Sequence, residues 1–421
     1  MADPHVVIVG GGQAGGRCAE ALRSAGHRGR ITIVADEPRY PYERPALSKE
    51  FLDGVIEPVA MEVRPEQWYA DNAIDVHTGV RVARLDRTGK SITLASGACI
   101  PYDVAVLAVG SRPRHLPAAC AGDLDLHYLR DTDDSRALRA RLLPGVRVAI
   151  VGAGLLGLEI AACAARKGCA VDVVEQGARV MDRVVAPAIG ELCASTHRAH
   201  GVRLHTGATL RRVERRERGF ALDLADGREI MADVVAVAIG VVPNIELARD
   251  AGLEVSDGIV VDEYGATNDP CVYAIGDCAR FRHPPSGRML RLETWSHAQN
   301  HAIAVARNIA GTPRAYDEIP WGWSTQFDMR LQFLGSHADG DRSFWRGDPA
   351  TGRAVLLHLN DNAVVGACGI NMPREVRKVR GLITGAVKVD PLRLADPEVE
   401  LDKAIIVETG GMECASLQKS A

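Results

Sequence analysis

Residues 5–26 read HVVIVGGGQAGGRCAEALRSAG, and this stretch decides the fold. A β-branched apolar run at 5–9 breaks at glycines and passes into a helical pattern. A second strand, RITIVA at 30–35, then closes a β-α-β unit. Gly10, Gly12 and Gly15 form a G-x-G-x-x-G directly after the strand and opening the helix. In that position the first glycine makes the turn, the second lets a pyrophosphate approach the backbone, and the third lets helix and strand pack closely. The exposed N–H groups and dipole of the helix start then hold phosphate. Asp36 and Glu37 follow the second strand, where an acid binds ribose hydroxyls.

The same grammar returns at 146–174, with strand VRVAIV, helix LLGLEIAACAARKG and strand CAVDVV. Its loop is Gly152-Ala-Gly154-Leu155-Leu156-Gly157, and Glu175 ends its second strand. An acid there accepts from both ribose hydroxyls and repels a 2′-phosphate, which predicts NAD over NADP. Arg179, close by, leaves that preference incomplete. Two dinucleotide sites in one chain imply a dinucleotide cofactor and a dinucleotide substrate. FAD and a nicotinamide nucleotide are the natural pair for hydride transfer. A third piece agrees: Tyr273-Ala-Ile-Gly276-Asp277 is an apolar strand ending in Gly-Asp, whose carboxylate can accept from a flavin's ribityl hydroxyls.

Composition narrows the class. Lys+Arg is 50 and Asp+Glu 54 in 421 residues, a formal charge of −4, which argues against a general nucleic-acid binder. Hydrophobic residues at 47% and charged residues at 25% make an ordinary globular mixture. The longest apolar stretch, around Val234–Val242, is about half the ~20 residues needed to span a bilayer. The N-terminus has no basic segment followed by an apolar one. The expectation is a soluble, cytoplasmic protein with no membrane partner. Its 10 cysteines, Cys414 the last, contain no Cys-x-x-Cys pair and read mostly as small buried residues. Cys193, His197, His200 and His205 lack the ligand spacing of a zinc site, so no metal is expected.

The glycine fingerprints, Tyr42-Glu-Arg-Pro-Ala-Leu-Ser-Lys49, Gly276-Asp-Cys-Ala-Arg-Phe281, Glu293-Thr-Trp-Ser296 and Pro320-Trp-Gly-Trp-Ser324 together carry a resemblance. The chain resembles the FAD-dependent NADH:ferredoxin reductases of bacterial aromatic-ring dioxygenase and cytochrome P450 systems, the putidaredoxin reductase and biphenyl dioxygenase reductase type. That resemblance covers nearly the whole chain. It implies an α/β, glutathione-reductase-like fold: two Rossmann-type domains, for FAD and NAD, plus a C-terminal α+β domain. The expected boundaries are 1–115 and 244–320 for a discontinuous FAD domain, 116–243 for the NAD domain and 321–421 for the C-terminal interface domain.

By resemblance, FAD lies against Gly12, Ala14, Asp36, Arg44, Lys49, Val82, Arg130, Asp277 and Trp295, and NAD on Gly154, Leu155, Leu156, Gly157, Glu175 and Gly240. Lys49 resembles the lysine beside the flavin ring, paired with the glutamate after the second fingerprint, here Glu159. Trp323, and less strongly Trp321, fall where the family places aromatic residues near flavin and nicotinamide. Residues 38–52 contain no cysteine, whereas disulfide reductases of this fold carry a redox pair there. A reduced flavin here has no protein dithiol to feed.

The expected activity is therefore NADH oxidation through FAD, with single electrons passed to a 2Fe–2S ferredoxin that feeds an oxygenase. The chain would act as a monomer or homodimer. Two other readings stay open: the same fold with another acceptor (rubredoxin, a quinone, monodehydroascorbate or oxygen), and a redox-sensing interaction protein resembling apoptosis-inducing factor. For ferredoxin docking, Arg374, Arg377 and Lys378 share one face of a predicted helix, with Val376, Val379 and Ile383 expected to pack inward.

Overall fold

The computed structural model describes residues 3–406, so Cys414 and the end of the expected C-terminal domain lie outside the described residues. The chain divides into two compact units, one ending at Asp328 and the other starting at Met329. The strand Trp321–Gln326 falls within the first unit.

The first unit is built on two parallel five-stranded sheets of matching order. In one, the strands run Val272–Ala274, Val104–Leu107, Val6–Val9, Ile31–Val34 and Ile74–His77. In the other they run His127–Tyr128, Val234–Val237, Arg147–Val151, Ala170–Val174 and Arg203–His205. Each therefore has a first strand flanked by the second on one side and the fourth on the other. The outermost strand beside the fourth comes from downstream in the first sheet and from upstream in the second. An antiparallel three-stranded flap precedes the fourth strand of each parallel sheet: 82–101 for the first sheet and 210–232 for the second.

The unbroken apolar run at 6–9 is explained by burial on both faces, as a parallel sheet covered on each side requires. Val6 and Ile8 pack with Cys18 and Leu22 of the helix Gln13–Ser24 and with Ala302 and Val305 of the helix Trp295–Ile309. Val7 and Val9 face the opposite way, toward Leu85, Ile92, Ile259 and Phe281.

The second unit carries an antiparallel sheet in which Met329–Gly335, Ala363–Ile370, Arg353–Asn360 and Arg342–Asp348 pair in that order. The helix Pro373–Thr384 lies on it closely enough that a Cβ at Gly369 would stand 2.3 Å from Val376 Cγ2. Arg374, Arg377 and Lys378 are exposed on this helix. Its inward stripe runs Val376, Val379 and Leu382, and Ile383, expected inward, is only half-buried at the stripe's margin. Leu382 continues the three-residue step that keeps side chains over the sheet, and Ile383 lies one residue around the helix from it. Among the described residues, no helix is long and apolar enough to cross a membrane.

Candidate active site

Both glycine loops sit at the carboxyl end of a first strand, where the sheet order reverses and open α/β sheets bind ligands. Their backbones match. Gly10 and Gly152 adopt φ +119° and +102°, and a Cβ on either would strike the carbonyl of Ala108 or Ala238 on the adjacent fourth-strand segment. A Cβ at Gly15 or Gly157 would lie 1.9 or 2.0 Å from the carbonyl of Gly10 or Gly152. The protein's own packing thus demands the first and third glycines. It does not demand the second: a Cβ at Gly154 meets nothing within 4 Å, and one at Gly12 meets only Arg44 Nη2 at 3.7 Å. Space kept clear of side chain, and of protein, is the cradle a pyrophosphate needs.

The surroundings of the first loop fit a buried anionic dinucleotide. Arg44 donates to the backbone carbonyl of Arg130 at 2.7 Å and to the Tyr42 hydroxyl at 3.0 Å, and also pairs with Glu37. Burial opposes Arg44's charge, but Tyr42 and Glu37 outweigh it and raise its basicity. Arg130 goes the other way, lowered by burial and by the neighbouring Arg44. Two guanidiniums held this close call for a further anion, and Asp277, 3.9 Å from Arg130 Nη1, supplies only a distant one. Asp277 also accepts from Ser111 Oγ at 2.9 Å.

Gln13, buried beside Ala14 at the helix start, finds no partner for either amide atom, and the Trp295 indole N–H is likewise buried without one. A buried polar group left unpaired costs stability unless a ligand satisfies it. These unpaired polar atoms among the described residues, the clear space at Gly12 and the guanidinium pair are what FAD would fill.

Of the two acids after the second strand, Glu37 is engaged by Arg44 and Tyr42, which overcome burial and hold its carboxyl below the usual range. Asp36 remains exposed beside it. Gly79 N and Val80 N donate to the carbonyls of Glu37 and Ala35, which brings the half-buried Val82 into the neighbourhood of Asp36.

Lys49 and Glu159 meet although 110 residues separate them: Lys49 Nζ lies 2.9 Å from Glu159 Oε2. Lys49 follows a single 3-10 turn, Pro45–Ser48, started by proline at its first position. Glu159 projects from the helix Leu155–Arg166 that the second loop opens. Ser48 and Ser324 also donate to Glu159; both stand inside motifs that carry the resemblance, but no spacing signal in either motif gives the serine a role. Trp323 packs edge-on against Trp295, centroids 5.3 Å apart, and Trp321 tilts against Trp323 at 5.2 Å.

The two loops differ in where they open. At the second, the helix-start residues Leu155 and Leu156 are half-buried, where Gln13 and Ala14 of the first are buried, while Gly152 and Ala153 are buried where Gly10 and Gly11 are half-buried. Glu175 accepts from the backbone N–H of Ala153 and of Gly177, each at 2.7 Å, so the acid itself braces the glycine turn. Arg179 is tied to Asp182 at 2.8 Å. Gly240, at φ +101°, ends the fourth-strand segment opposite Gly152 and accepts from Arg114 N at 2.9 Å.

Behind Asp277 lies a cluster that no sequence spacing announced. His301 Nδ1 accepts from the backbone N–H of Gly276, and His297 Nδ1 meets the Tyr316 hydroxyl at 3.0 Å while its ring stacks on Phe281. Burial drops His297 to about 4 and His301 further below its usual range. Of the candidate zinc ligands, His197 bonds the carbonyls of Cys193 and Leu158, His200 stacks on Phe327, and His205 pairs with Asp172. Among the described residues no group of three or more His, Cys, Asp or Glu could hold a metal ion.

Comparison with known proteins extends over nearly the whole chain. Residues 4–302 match the pyridine nucleotide-disulphide oxidoreductase family and residues 321–405 the reductase C-terminal family. The ferredoxin–NAD(+) reductase component of the anthranilate 1,2-dioxygenase system of Burkholderia cepacia is 39% identical over 401 residues, spanning 95% of this chain and 98% of that protein. The reductase in a covalent putidaredoxin reductase–putidaredoxin complex superposes with a TM-score of 0.92 at 33% identity, covering 96% and 98% of the two chains. A ferredoxin reductase for the CYP199A2 system from Rhodopseudomonas palustris does so at 0.91 and 37%, covering 96% and 100%.

Proposed function

This chain belongs to the pyridine nucleotide-disulphide oxidoreductase family and carries a reductase C-terminal domain, and from that premise we propose that it transfers electrons from NADH to a 2Fe–2S ferredoxin serving a dioxygenase or cytochrome P450. It is an oxidoreductase of a class that uses FAD and NADH. The observation that carries the reading is the Lys49–Glu159 ion pair. It ties the segment after the first glycine loop to the helix opened by the second, which supports hydride transfer between two nucleotides held at those loops.

Bound FAD supplies the chemistry of accepting a hydride and releasing electrons one at a time. The chain supplies the rest. The start of the helix Gln13–Ser24, with Arg44 and Arg130, holds the pyrophosphate, and Asp277 takes the ribityl hydroxyls. Asp36 and Val82 border the adenosine end. Lys49 presents its ammonium where negative charge grows on the ring, and Glu159 keeps that ammonium in place. Trp295 and Trp323 wall the ring side and exclude water. The loop 152–157, with Glu175 and Gly240, receives NADH. We assign residues 1–115 and 244–320 to FAD, 116–243 to NAD and 321–421 to the partner interface, in a cytoplasmic monomer or homodimer.

For the ferredoxin we favour the exposed Arg374, Arg377 and Lys378, with Lys378 partly offset by Glu375 at 3.8 Å. Complementary charge acts mainly on association rate and is screened over about 8–10 Å at physiological salt.

The deciding experiment mixes the purified holoenzyme with NADH and a 2Fe–2S ferredoxin. Ferredoxin should accelerate NADH oxidation, with a rate that falls on adding salt. Charge reversal at Arg377 and Lys378 should raise the Michaelis constant for ferredoxin and spare ferricyanide reduction. Rapid oxygen consumption that ferredoxin does not stimulate would favour the other-acceptor reading. A change of oligomeric state on NADH binding with slow turnover would favour the redox-sensing one.

A further inference from the structure

Resting on the placement of Lys49 and Glu159 at the flavin, we propose that Ser324, backed by Gln326, is a positioning residue of this active site. Its hydroxyl, with that of Ser48, shares the charge of Glu159 and leaves the Lys49 ammonium available to the flavin.

The strand Trp321–Gln326 points to this by an inverted pattern. Alternate residues of a half-buried strand face the core and are normally apolar. Here the buried positions are Gly322, Ser324 and Gln326, while Trp321 and Trp323 are half-buried. Ser324 and Gln326 are both 0% exposed, so two polar side chains stand where apolar ones would stabilise better. A local rule broken in this way marks a site where function sets the residue.

The hydrogen bonds show what the two side chains do. Glu159 is itself 6% exposed. Its Oε1 accepts from Ser324 Oγ at 2.8 Å, while Oε2 accepts from Ser48 Oγ and from Lys49 Nζ. Gln326 Nε2 donates to Ser324 Oγ at 3.2 Å and lies 3.5 Å from Met181 Sδ. A serine hydroxyl has one proton, so accepting from Gln326 directs that proton to the carboxylate. The polarity runs one way, from Gln326 through Ser324 to Glu159.

A carboxylate against an ammonium offsets part of that ammonium's potential at a third point, and burial enlarges the effect. Two neutral donors on the same carboxylate spread its charge and weaken its pull on Lys49. They also fix the carboxylate at both oxygens, so the ammonium is preorganised and needs no rearrangement as charge develops. Without Ser324, both effects turn against reduction of the flavin.

The test uses the FAD-loaded protein and reads the flavin midpoint potential by spectroelectrochemistry, together with single-turnover reduction by NADH. Ser324→Ala should move the potential to a more negative value. It should also lower the limiting reduction rate on the order of tenfold, the worth of one hydrogen bond to a charged group, with unchanged NADH dissociation constant. Ser324→Thr, which keeps the hydroxyl, should restore both. Gln326→Leu should act in the same direction and less strongly. Ser48→Ala is the second route should Ser324→Ala not fold, with the same expected shift.

A wild-type potential and limiting rate in Ser324→Ala, even with a lowered melting temperature, would mean a purely structural hydroxyl and overturn the proposal. So would a loss that threonine does not rescue. Lys49→Met separates this proposal from its premise. If it too leaves the potential unchanged, the pair is not at the flavin and both readings fall. If it shifts the potential and Ser324→Ala does not, only the role of Ser324 falls.

Discussion

The two glycine loops share a backbone and differ in what encloses them. At each, a first-strand glycine abuts the fourth-strand segment and a helix glycine abuts the turn, with near-contacts that agree within 0.2 Å. Around the first loop stand Arg44, Arg130, Asp277 and Glu37, most of them supplied from outside the β-α-β unit. Around the second, the helix-start residues Leu155 and Leu156 are half-buried, and the acid Glu175 is bound to the loop's own amides. An enclosed site whose unpaired polar atoms need a ligand suits a resident cofactor. One open at its helix start, whose backbone is already braced, suits a substrate that comes and goes.

The largest effect should come from the glycines. Gly15→Ala and Gly157→Ala each drive a Cβ into a carbonyl, with no flexible side chain to yield, and should cost roughly 3 kcal/mol or more or prevent folding. Gly154→Ala has open space and should keep its melting temperature and FAD content while binding NADH about tenfold more weakly. Equal stability losses at Gly154 and Gly157, read by thermal melts, would break the division between protein-demanded and ligand-demanded glycines.

The enclosure itself is tested next. Asp277→Ala should emerge from purification depleted in FAD, seen in the ratio of flavin to protein absorbance, whereas Glu175→Ala should keep a full complement. If both variants retain their flavin alike, the two loops do not differ in the way their surroundings suggest.

A smaller effect is expected on nucleotide choice. Glu175→Ala should raise the Michaelis constant for NADH roughly three- to tenfold, the range of one ordinary net hydrogen bond, and narrow the gap to NADPH. Equal catalytic efficiency with both nucleotides in the unmodified protein would remove Glu175 from that role.

The gentlest contrast is in acid. His297 is held neutral to about 4 by burial, against 6.5 for the unburied group. Below 6.5 the unfolded chain binds the proton that the folded one refuses, so stability should fall as pH drops from 6.5 toward 4 and lose no more to this group below that. Urea unfolding across that window should show the fall, and His297→Gln should make it shallower. A slope unchanged by His297→Gln would show that His297 is not the residue that titrates.

Local physics made much of this chain legible. The run Val6–Val9, its glycines and the following helix read as a β-α-β unit because strand, turn and helix signals all lie within one short window, and the repeat at 146–174 carried the same signals. Lys49 and Glu159 were named as partners only through resemblance, since nothing in either local sequence points to the other across 110 residues. The helix at 373–384 was readable from its period over 374–380, but the choice between Leu382 and Ile383 for the core was not. Adjacent residues on a helix are separated by a rotation that only the packed sheet beneath resolves.

By itself, then, the sequence determined the two glycine loops, the strand Val272–Ala274 that leads into the turn holding Asp277, and the absence of a cysteine pair in 38–52, because each of these is a contiguous pattern. Only the tertiary structure decided that Glu37 is taken up by Arg44 and Tyr42, that Ser48 and Ser324 converge on Glu159, and that buried histidines back the turn at Gly276. Contacts between segments far apart in the chain leave no local periodicity. Their energy depends on burial and distance, which exist only once the sheets have brought the segments together.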